Sequence, residues 1–467
     1  MFHSFVSAVN DVLWGSGQLL IYMLLLAGVW FSVRLGAIQI RHFGHMFSLL
    51  KTSTVSDKSG ISSFQALCTS LSARVGTGNL AGVALAISLG GAGAIFWMWV
   101  IAILGMATGF AESLLGQVYK VRDSNNEFRG GPAYYIRQGL NNRWMAVIFS
   151  VCLFVGYGFI FCANQANTIV DALNYKYNFP TLYTGIAITL FAGIIVLGGL
   201  RGIARFSELV VPFMGMIYVL VAVGITAMNI DAVPNMLHQI VTSAFGLQEA
   251  GAGAFGAAIK NGIQRGLFSN EAGSGGVPQA AASASPQPKH PATQGYLQML
   301  GVFLDTMILC TCTAVIILLA DDIQTDNVEG IRLTQNAMEF HLGSAGGHFV
   351  SVAITLFAFT SIVANYFYAE SNLHFFKLDN KVGRSVFTIS FLAMMLWGSS
   401  ANLQQIWAAA DMALGLMTVV NVIAIVLLTP TIVAVSQDYL KRREKNLALD
   451  YKPGDCPIQG SSEKGIW

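Results

Sequence analysis

The chain has 467 residues, 54% of them hydrophobic and only 11% charged, with a formal net charge of +2 and a mean hydropathy of +0.59. Soluble domains carry about 25% charged residues, so 26 Lys+Arg and 24 Asp+Glu cannot cover a water-facing surface of this size. A soluble enzyme, a nucleic-acid binder and a disordered chain are excluded, and an all-α polytopic membrane protein is expected.

A bilayer-spanning helix needs about 20 mainly apolar residues. Eleven stretches qualify in chain order: 17–33, 61–90, 94–120, 143–170, 181–199, 206–228, 252–285, 292–320, 346–372, 384–400 and 405–434. No basic run precedes the first, whose nearest upstream charge is Asp11, so it reads as a retained helix rather than a cleaved signal. The second and seventh are rich in Gly, Ser, Thr and Asn.

Charge placement orients these spans. With the N-terminus outside, 21 of the 26 Lys+Arg fall in inside loops and the tail, and only Lys176 and Arg332 fall outside. Arg74, Lys260 and Arg265 lie within spans. This positive-inside bias predicts an odd number of spans in the plasma membrane, N-terminus out and C-terminus in. The acidic loop 321–339 (Asp321, Asp322, Asp326, Glu329, Glu339) is then outside. The segment 437–467 is a polar cytoplasmic tail, and its Lys441-Arg442-Arg443 run anchors the topology. Five of the six cysteines sit in apolar stretches, where cysteine behaves as a small hydrophobe. No disulfide or zinc spacing is present, and the histidines form no H-E-x-x-H pair.

An internal repeat marks the centre. Val75-Gly76-Thr77-Gly78-Asn79 in the second span matches Ala272-Gly273-Ser274-Gly275-Gly276 in the seventh, an offset of five spans. The two spans run in opposite directions. This predicts two inverted five-helix repeats, 61–228 and 252–434, each with a broken first helix, and 17–33 as an extra N-terminal helix. Glycine costs about 1 kcal/mol against alanine in a helix, so clustered glycines invite unwinding. Freed N–H and C=O groups then need protein, water or solute partners. A half-helix N-terminus suits a carboxylate, and freed carbonyls suit a cation or an ammonium. Close packing of helices is the blander account of such glycines.

The segments Gly76-Thr77-Gly78-Asn79-Leu80-Ala81-Gly82-Val83-Ala84, Arg129-Gly130-Gly131-Pro132-Ala133-Tyr134-Tyr135 and Gly266-Leu267-Phe268-Ser269-Asn270-Glu271-Ala272-Gly273 resemble the sodium:alanine (amino acid:cation) symporter family. The resemblance covers roughly 60–430. It implies a leucine-transporter-type fold, alternating access, and sodium-coupled uptake of small neutral amino acids such as alanine and glycine. It also implies that Gly76, Thr77, Gly78 and Asn79 receive the substrate carboxylate, and that Phe268, Gly273 and Ser274 meet the ammonium group and side chain. A co-transported sodium ion is implied between the first broken helix and the ninth span. Its ligands would be the carbonyls of Ser72 and Val75 and the hydroxyls of Thr360 and Ser361, since hard cations take oxygen ligands. Without the resemblance, Thr360-Ser361 reads as a packing pair.

Two departures from the family pattern stand out. Ala364-Asn365 replaces a common Gly-Trp pair, so Asn365 either enlarges the substrate space for a longer polar substrate such as glutamine or bonds helix to helix. Arg74 stands where a small residue is usual. It either binds the substrate carboxylate, occupies a cation site and makes transport sodium-independent, or forms a salt bridge with Glu112, Glu271 or Asp305. Asp305 and Asp411 are candidate proton-relay groups, Glu112 and Glu370 suit gate or loop contacts, and Lys260 and Arg265 snorkel or pair. No motif of an intramembrane enzyme or a nucleotide-driven pump is present, and two local breaks are not the continuous polar stripe of a channel.

Overall fold

A computed structural model describes residues 2–55, 60–246, 252–320 and 330–467. Lys58 and the acidic Asp321, Asp322, Asp326 and Glu329 lie outside the described residues. The described chain is almost wholly helical, and its one sheet pairs Val121–Arg122 antiparallel with Phe128–Arg129.

Six helices among the described residues are long and apolar enough to cross a membrane: Gly93–Val118, Arg143–Tyr177, Gly199–Met228, Pro291–Leu318, Ser344–Phe375 and Leu403–Leu427. The shorter Leu19–Arg34 and Thr181–Val196 and the Lys381–Gly398 helix fall on three further expected spans. Burial divides these helices into a centre and a periphery. The apolar window of Ser344–Phe375 is 72% buried and that of Gly199–Met228 only 28%. On the latter, Leu209, Phe213, Met216, Leu220 and Val223 are exposed at helical spacing. A stripe of this kind on a water-facing protein would be an association site; on a membrane-spanning helix it suits contact with lipid tails.

Both glycine-rich spans are interrupted. Ser63–Arg74 starts at a capping box, with Ser62 Oγ accepting from Gln65 N and Gln65 Oε1 accepting from Ser62 N, both at 3.1 Å. It stops at Val75 (φ −79°, ψ 86°) and resumes in a wide turn over Gly78–Gly82, continuing as Val83–Gly90. The second interrupted span is Ala252–Asn270 followed by Val277–Ser283. Between them Glu271, Gly273 and Gly275 take φ of 57°, 92° and 85°. Glycine adopts such angles without penalty, and Pro278 suits the first turn of the restarted helix.

The two breaks are tied at one end of the molecule. Ile61 N donates to Ser283 O (3.1 Å) and Ser285 N to Ile61 O (3.0 Å), a short parallel bridge between the Ser63–Arg74 and Val277–Ser283 half-helices. Gln117 Nε2 donates to the carbonyls of Ala281 and Ala284, and Lys120 Nζ donates to Ala284 O at 3.0 Å. The C-terminal segment lies at the same end. It continues as a helix to Glu444 and then packs back on the protein. Trp467 Nε1 donates to Gln117 O (3.2 Å), the Lys120 ammonium lies 4.4 Å from the Trp467 ring, and Gln459 N donates to Thr431 Oγ1 (2.9 Å). Apolar Tyr451, Ile458 and Trp467 explain the docking: they join the core cluster.

Candidate functional site

The first break brings the expected cation ligands together. Ser361 Oγ lies 2.8 Å from Ser72 O, 3.3 Å from Val75 O and 3.1 Å from Phe357 O, within donating distance of all three. Thr360 Oγ1 donates to the same Phe357 carbonyl at 2.8 Å. Ser72, Val75, Thr360 and Ser361 are all buried. Two carbonyls freed by the interruption thus meet the Ser361 hydroxyl, while the Thr360 hydroxyl reaches only the Phe357 carbonyl of its own helix.

Beside it lies a small cavity of about 10 Å³, lined by Arg74, Gly78, Phe161, Gln165, Phe268, Glu271 and Asn365 among others. That is room for about one water. Of the expected substrate residues, Gly78, Phe268 and Asn365 reach this lining. The Asn365 amide makes no hydrogen bond, so it does not join helix to helix in this structure. Asn365 follows Ser361 by four residues, which places both on one helix face.

Gly76, Thr77 and Asn79 flank the cavity, with their polar groups engaged. Gly76 N donates to Asn79 Oδ1 (3.0 Å), Thr77 N to Gln165 Oε1 (3.0 Å) and Thr77 Oγ1 to Asn164 Oδ1 (3.1 Å). Asn79 Nδ2 donates to Asp305 Oδ1 at 2.8 Å, and Ser269 and Thr306 donate to Asp305 Oδ2 at 2.6 and 2.8 Å. Gly273 and Ser274 lie elsewhere. Glu112 accepts from Gly273 N and Gly275 N, both at 3.2 Å, and from Asn421 Nδ2 at 2.9 Å. Ser274 Oγ donates to Glu271 O at 2.7 Å. The anion that the freed N–H groups of the second break attract is the protein's own carboxylate.

The intramembrane charges sort into pairs and exceptions. Arg265 and Asp411 form a buried pair, and Glu370 bridges Arg129 (3.0 Å) and Arg384 (3.4 Å). The expected salt bridge of Arg74 is absent. Its Nη1 donates to Gln298 O at 3.3 Å, and neither Glu112, Glu271 nor Asp305 comes within ion-pair distance. Glu112 and Asp305 are bonded to other groups, so they have no need of the guanidinium.

A larger open cavity of about 480 Å³ lies at the far end of the bundle from the tail. Asp11, Trp14, Lys260, Arg265, Trp407 and Asp411 are among its walls. Its floor is the Arg265–Asp411 pair and Trp407, whose ring lies 4.9 Å from the Arg265 guanidinium carbon and 4.8 Å from the Phe268 ring. Phe268 also lines the inner cavity, so one aromatic layer separates the vestibule from it. The Phe2–Leu13 helix, unforeseen in the sequence, borders the vestibule, with Asn10 Nδ2 donating to Ala408 O (2.8 Å) and Trp14 Nε1 to Asp411 O (3.2 Å). Gln165 and Phe161 were also missed as cavity residues. The polar run Asn164-Gln165-x-Asn167-Thr168 inside an apolar span was their available signal.

Two interrupted helices packed around one small polar cavity, closed at one end and reached by a vestibule at the other, define an integral membrane transporter rather than an enzyme. The fold agrees: the crystal structure of MhsT in complex with L-phenylalanine superposes with a TM-score of 0.61 over 82% of this chain and 93% of that one, at 14% identity. The shared fold is of the leucine-transporter type. The sodium:alanine symporter family profile matches residues 1–452, and the chain belongs to that family. It is 47% identical to YaaJ of Escherichia coli, named an uncharacterized transporter, over 98% of this chain and 96% of that protein. It is 43% identical to GlnT of Bacillus subtilis, named a probable sodium/glutamine symporter, over 94% and 91% of the two chains.

Proposed function

We propose that this protein carries a small neutral amino acid into the cell together with sodium, by alternating access across a bacterial inner membrane. The amino acid is alanine or glycine, with glutamine as a further substrate. The observation that carries this reading is the meeting of Ser361 with the Ser72 and Val75 carbonyls at the first break. A sodium ion, here cargo rather than a resident cofactor, would be held by those carbonyls and by the hydroxyl oxygens of Thr360 and Ser361. The adjoining cavity would hold the amino acid once the Phe268–Trp407 layer moves aside.

The same proposal places eleven spans in the membrane, 61–228 and 252–434 as inverted repeats, the vestibule outside and the docked tail in the cytoplasm. The Ile61–Ala284 bridge and the tail then close the inner side while the vestibule stays open. The family and the name given to GlnT support the coupling ion and substrate class. Energetically, about 2.3 kcal/mol per charge from a 100 mV potential and about 1.4 kcal/mol from a tenfold sodium gradient sum to roughly 3.7 kcal/mol, about 500-fold accumulation of a neutral solute.

Labelled alanine uptake into proteoliposomes, with and without an inward sodium gradient, tests the proposal. Uptake should need sodium, and Ser361→Ala should raise the half-saturating sodium concentration at least about tenfold, the effect of losing one ligand-class hydrogen-bonding group. Uptake indifferent to sodium and driven by a pH gradient would replace this reading with proton coupling.

A further inference from the structure

A further cavity lies away from the transport path, at the end of the molecule that carries the tail. It is open and measures about 360 Å³. Its walls come from the end of Thr181–Val196, the start of Gly199–Met228, the last turns of Ser344–Phe375 and the first turns of Lys381–Gly398. The two sides of this crevice differ in character. Leu197 and Ile389, on its rim, are 80% and 69% exposed, and both fall within expected spans. The inner wall is polar and includes Tyr366, Glu370 and Arg384.

The charges on that wall are not matched one to one. Glu370 is shared by two guanidinium groups, Arg129 at 3.0 Å and Arg384 at 3.4 Å. Arg129 is buried and has two more carboxylates, Asp123 at 3.0 Å and Glu127 at 3.4 Å. Arg384 has Glu370 alone among the described residues, and its Nε makes no hydrogen bond. Its side chain is 31% exposed. Arg384 thus combines a single, poorly aligned internal partner with access from the cavity.

The surroundings favour an anion. Lys381 and Arg384 stand three residues apart in the first turn of an 18-residue helix, and a helix N-terminus attracts negative charge. The exposed Ser385 adds a hydroxyl to the lining. Arg201, at the start of the facing helix, reaches Glu127 only at 3.9 Å. Glu370 opposes an anion, but Arg129 holds it. Arg384 can therefore take a second partner without leaving Glu370 unpaired.

We propose that this crevice binds the phosphate headgroup of an anionic phospholipid from the adjoining leaflet, the cytoplasmic one in the orientation given above. Arg384 and the Ser385 hydroxyl meet the phosphate oxygens, and an acyl chain runs along Leu197 and Ile389. The planar fork of arginine matches phosphate oxygens, and a basic pocket between spans at the cytoplasmic end suits an anionic headgroup. Ile389 follows Ser385 by four residues, so one helix face carries both the polar and the apolar contact. A soluble anion would leave that apolar rim uncovered, and a lipid covers both parts. The site touches neither the cavity proposed for the amino acid nor the oxygen atoms proposed for sodium, so it stands or falls independently of the transport reading.

Heat stabilisation of the detergent-purified full chain by added phosphatidylglycerol tests the site, with phosphatidylcholine and inorganic phosphate as comparison probes. Phosphatidylglycerol should stabilise at concentrations at least about tenfold below those of phosphatidylcholine. Arg384→Gln should raise the half-stabilising phosphatidylglycerol concentration about 10- to 100-fold, as the loss of charge-assisted hydrogen bonds does. Ser385→Glu keeps the Arg384–Glu370 contact and should weaken the lipid by repulsion. Its exposed position also covers the case in which Arg384→Gln does not fold. Lys441→Gln, in the basic run of the tail, should leave the concentration within about threefold, because charges far from the site are screened. Equal stabilisation by the two lipids overturns the proposal, as does an unchanged concentration in Arg384→Gln or Ser385→Glu. A loss in Lys441→Gln as large as in Arg384→Gln would mean diffuse charge attraction and overturns it too. Inorganic phosphate stabilising as well as phosphatidylglycerol would make this a soluble-anion site and overturn the lipid assignment.

Discussion

Asn365 gives the inner cavity a polar wall. It lines the wall with Phe268 and Gly78, and its amide is bonded to nothing in the protein. A polar group with free donors and an acceptor favours a ligand that brings its own amide, because unpaired buried polar groups are what a site discriminates against. Glutamine should therefore compete with labelled alanine uptake, and Asn365→Trp should weaken that competition at least about tenfold while alanine uptake persists. Equal competition in both proteins would remove Asn365 from specificity. The sequence made Asn365 and the Ser72, Val75, Thr360 and Ser361 set legible because each sits at a motif position. Gln165 and Phe161 were not legible, since nothing in one chain says which face of the Arg143–Tyr177 helix turns to the cavity.

At the scale of the elements, the second break depends on a carboxylate from another helix. The Gly93–Val118 helix carries Glu112 to the restart of Val277–Ser283, where it accepts from Gly273 N and Gly275 N. Glu112→Ala would leave both donors buried and unpaired, at roughly 1–3 kcal/mol each. Its heat stability should fall by several degrees, and Glu112→Gln, which keeps an acceptor oxygen, should lose less. A Glu112→Ala protein as heat-stable as the wild type would mean that the break is held by other contacts. The glycine pattern predicted that this span unwinds. It could not say which anion the freed N–H groups would find, because Glu112 is 161 residues away in the chain.

The whole molecule is fastened at the end that carries the tail. Trp467 docks on Gln117 and Lys120, which hold the carbonyls of Ala281 and Ala284 at the end of the Val277–Ser283 half-helix. Deleting 446–467 should loosen this closure, seen as faster labelling of a cysteine introduced at Ser283 by a membrane-impermeant thiol reagent applied from the tail side. An unchanged labelling rate would show that the Ile61–Ala284 bridge closes this end unaided. His290 and His45 lie at the same end. Burial, more than any neighbouring charge, holds both imidazoles down at about 4, against about 6.5 in the unfolded chain. A depressed native value means that the unfolded chain takes up the proton first. The stability they contribute is present above about pH 6.5 and is lost as pH falls towards about 4. Melting temperature followed across that window should fall, and less so in His290→Asn.

The sequence by itself determined that this is a polytopic helical membrane protein, where its helices break and to which family it belongs. These follow from local composition: apolar length, glycine clustering and short contiguous motifs. The family resemblance further implied Ser72, Val75, Thr360 and Ser361 as sodium ligands. Only the tertiary structure decided which charges are satisfied and which are not. Arg265 pairs with Asp411, and Glu112 caps the second break. Arg74, whose expected salt bridge is absent, keeps a single bond to the Gln298 carbonyl. Hydrogen-bond satisfaction in a low-dielectric interior is a property of distances between helices, and those distances are fixed by packing rather than by any one segment of the chain.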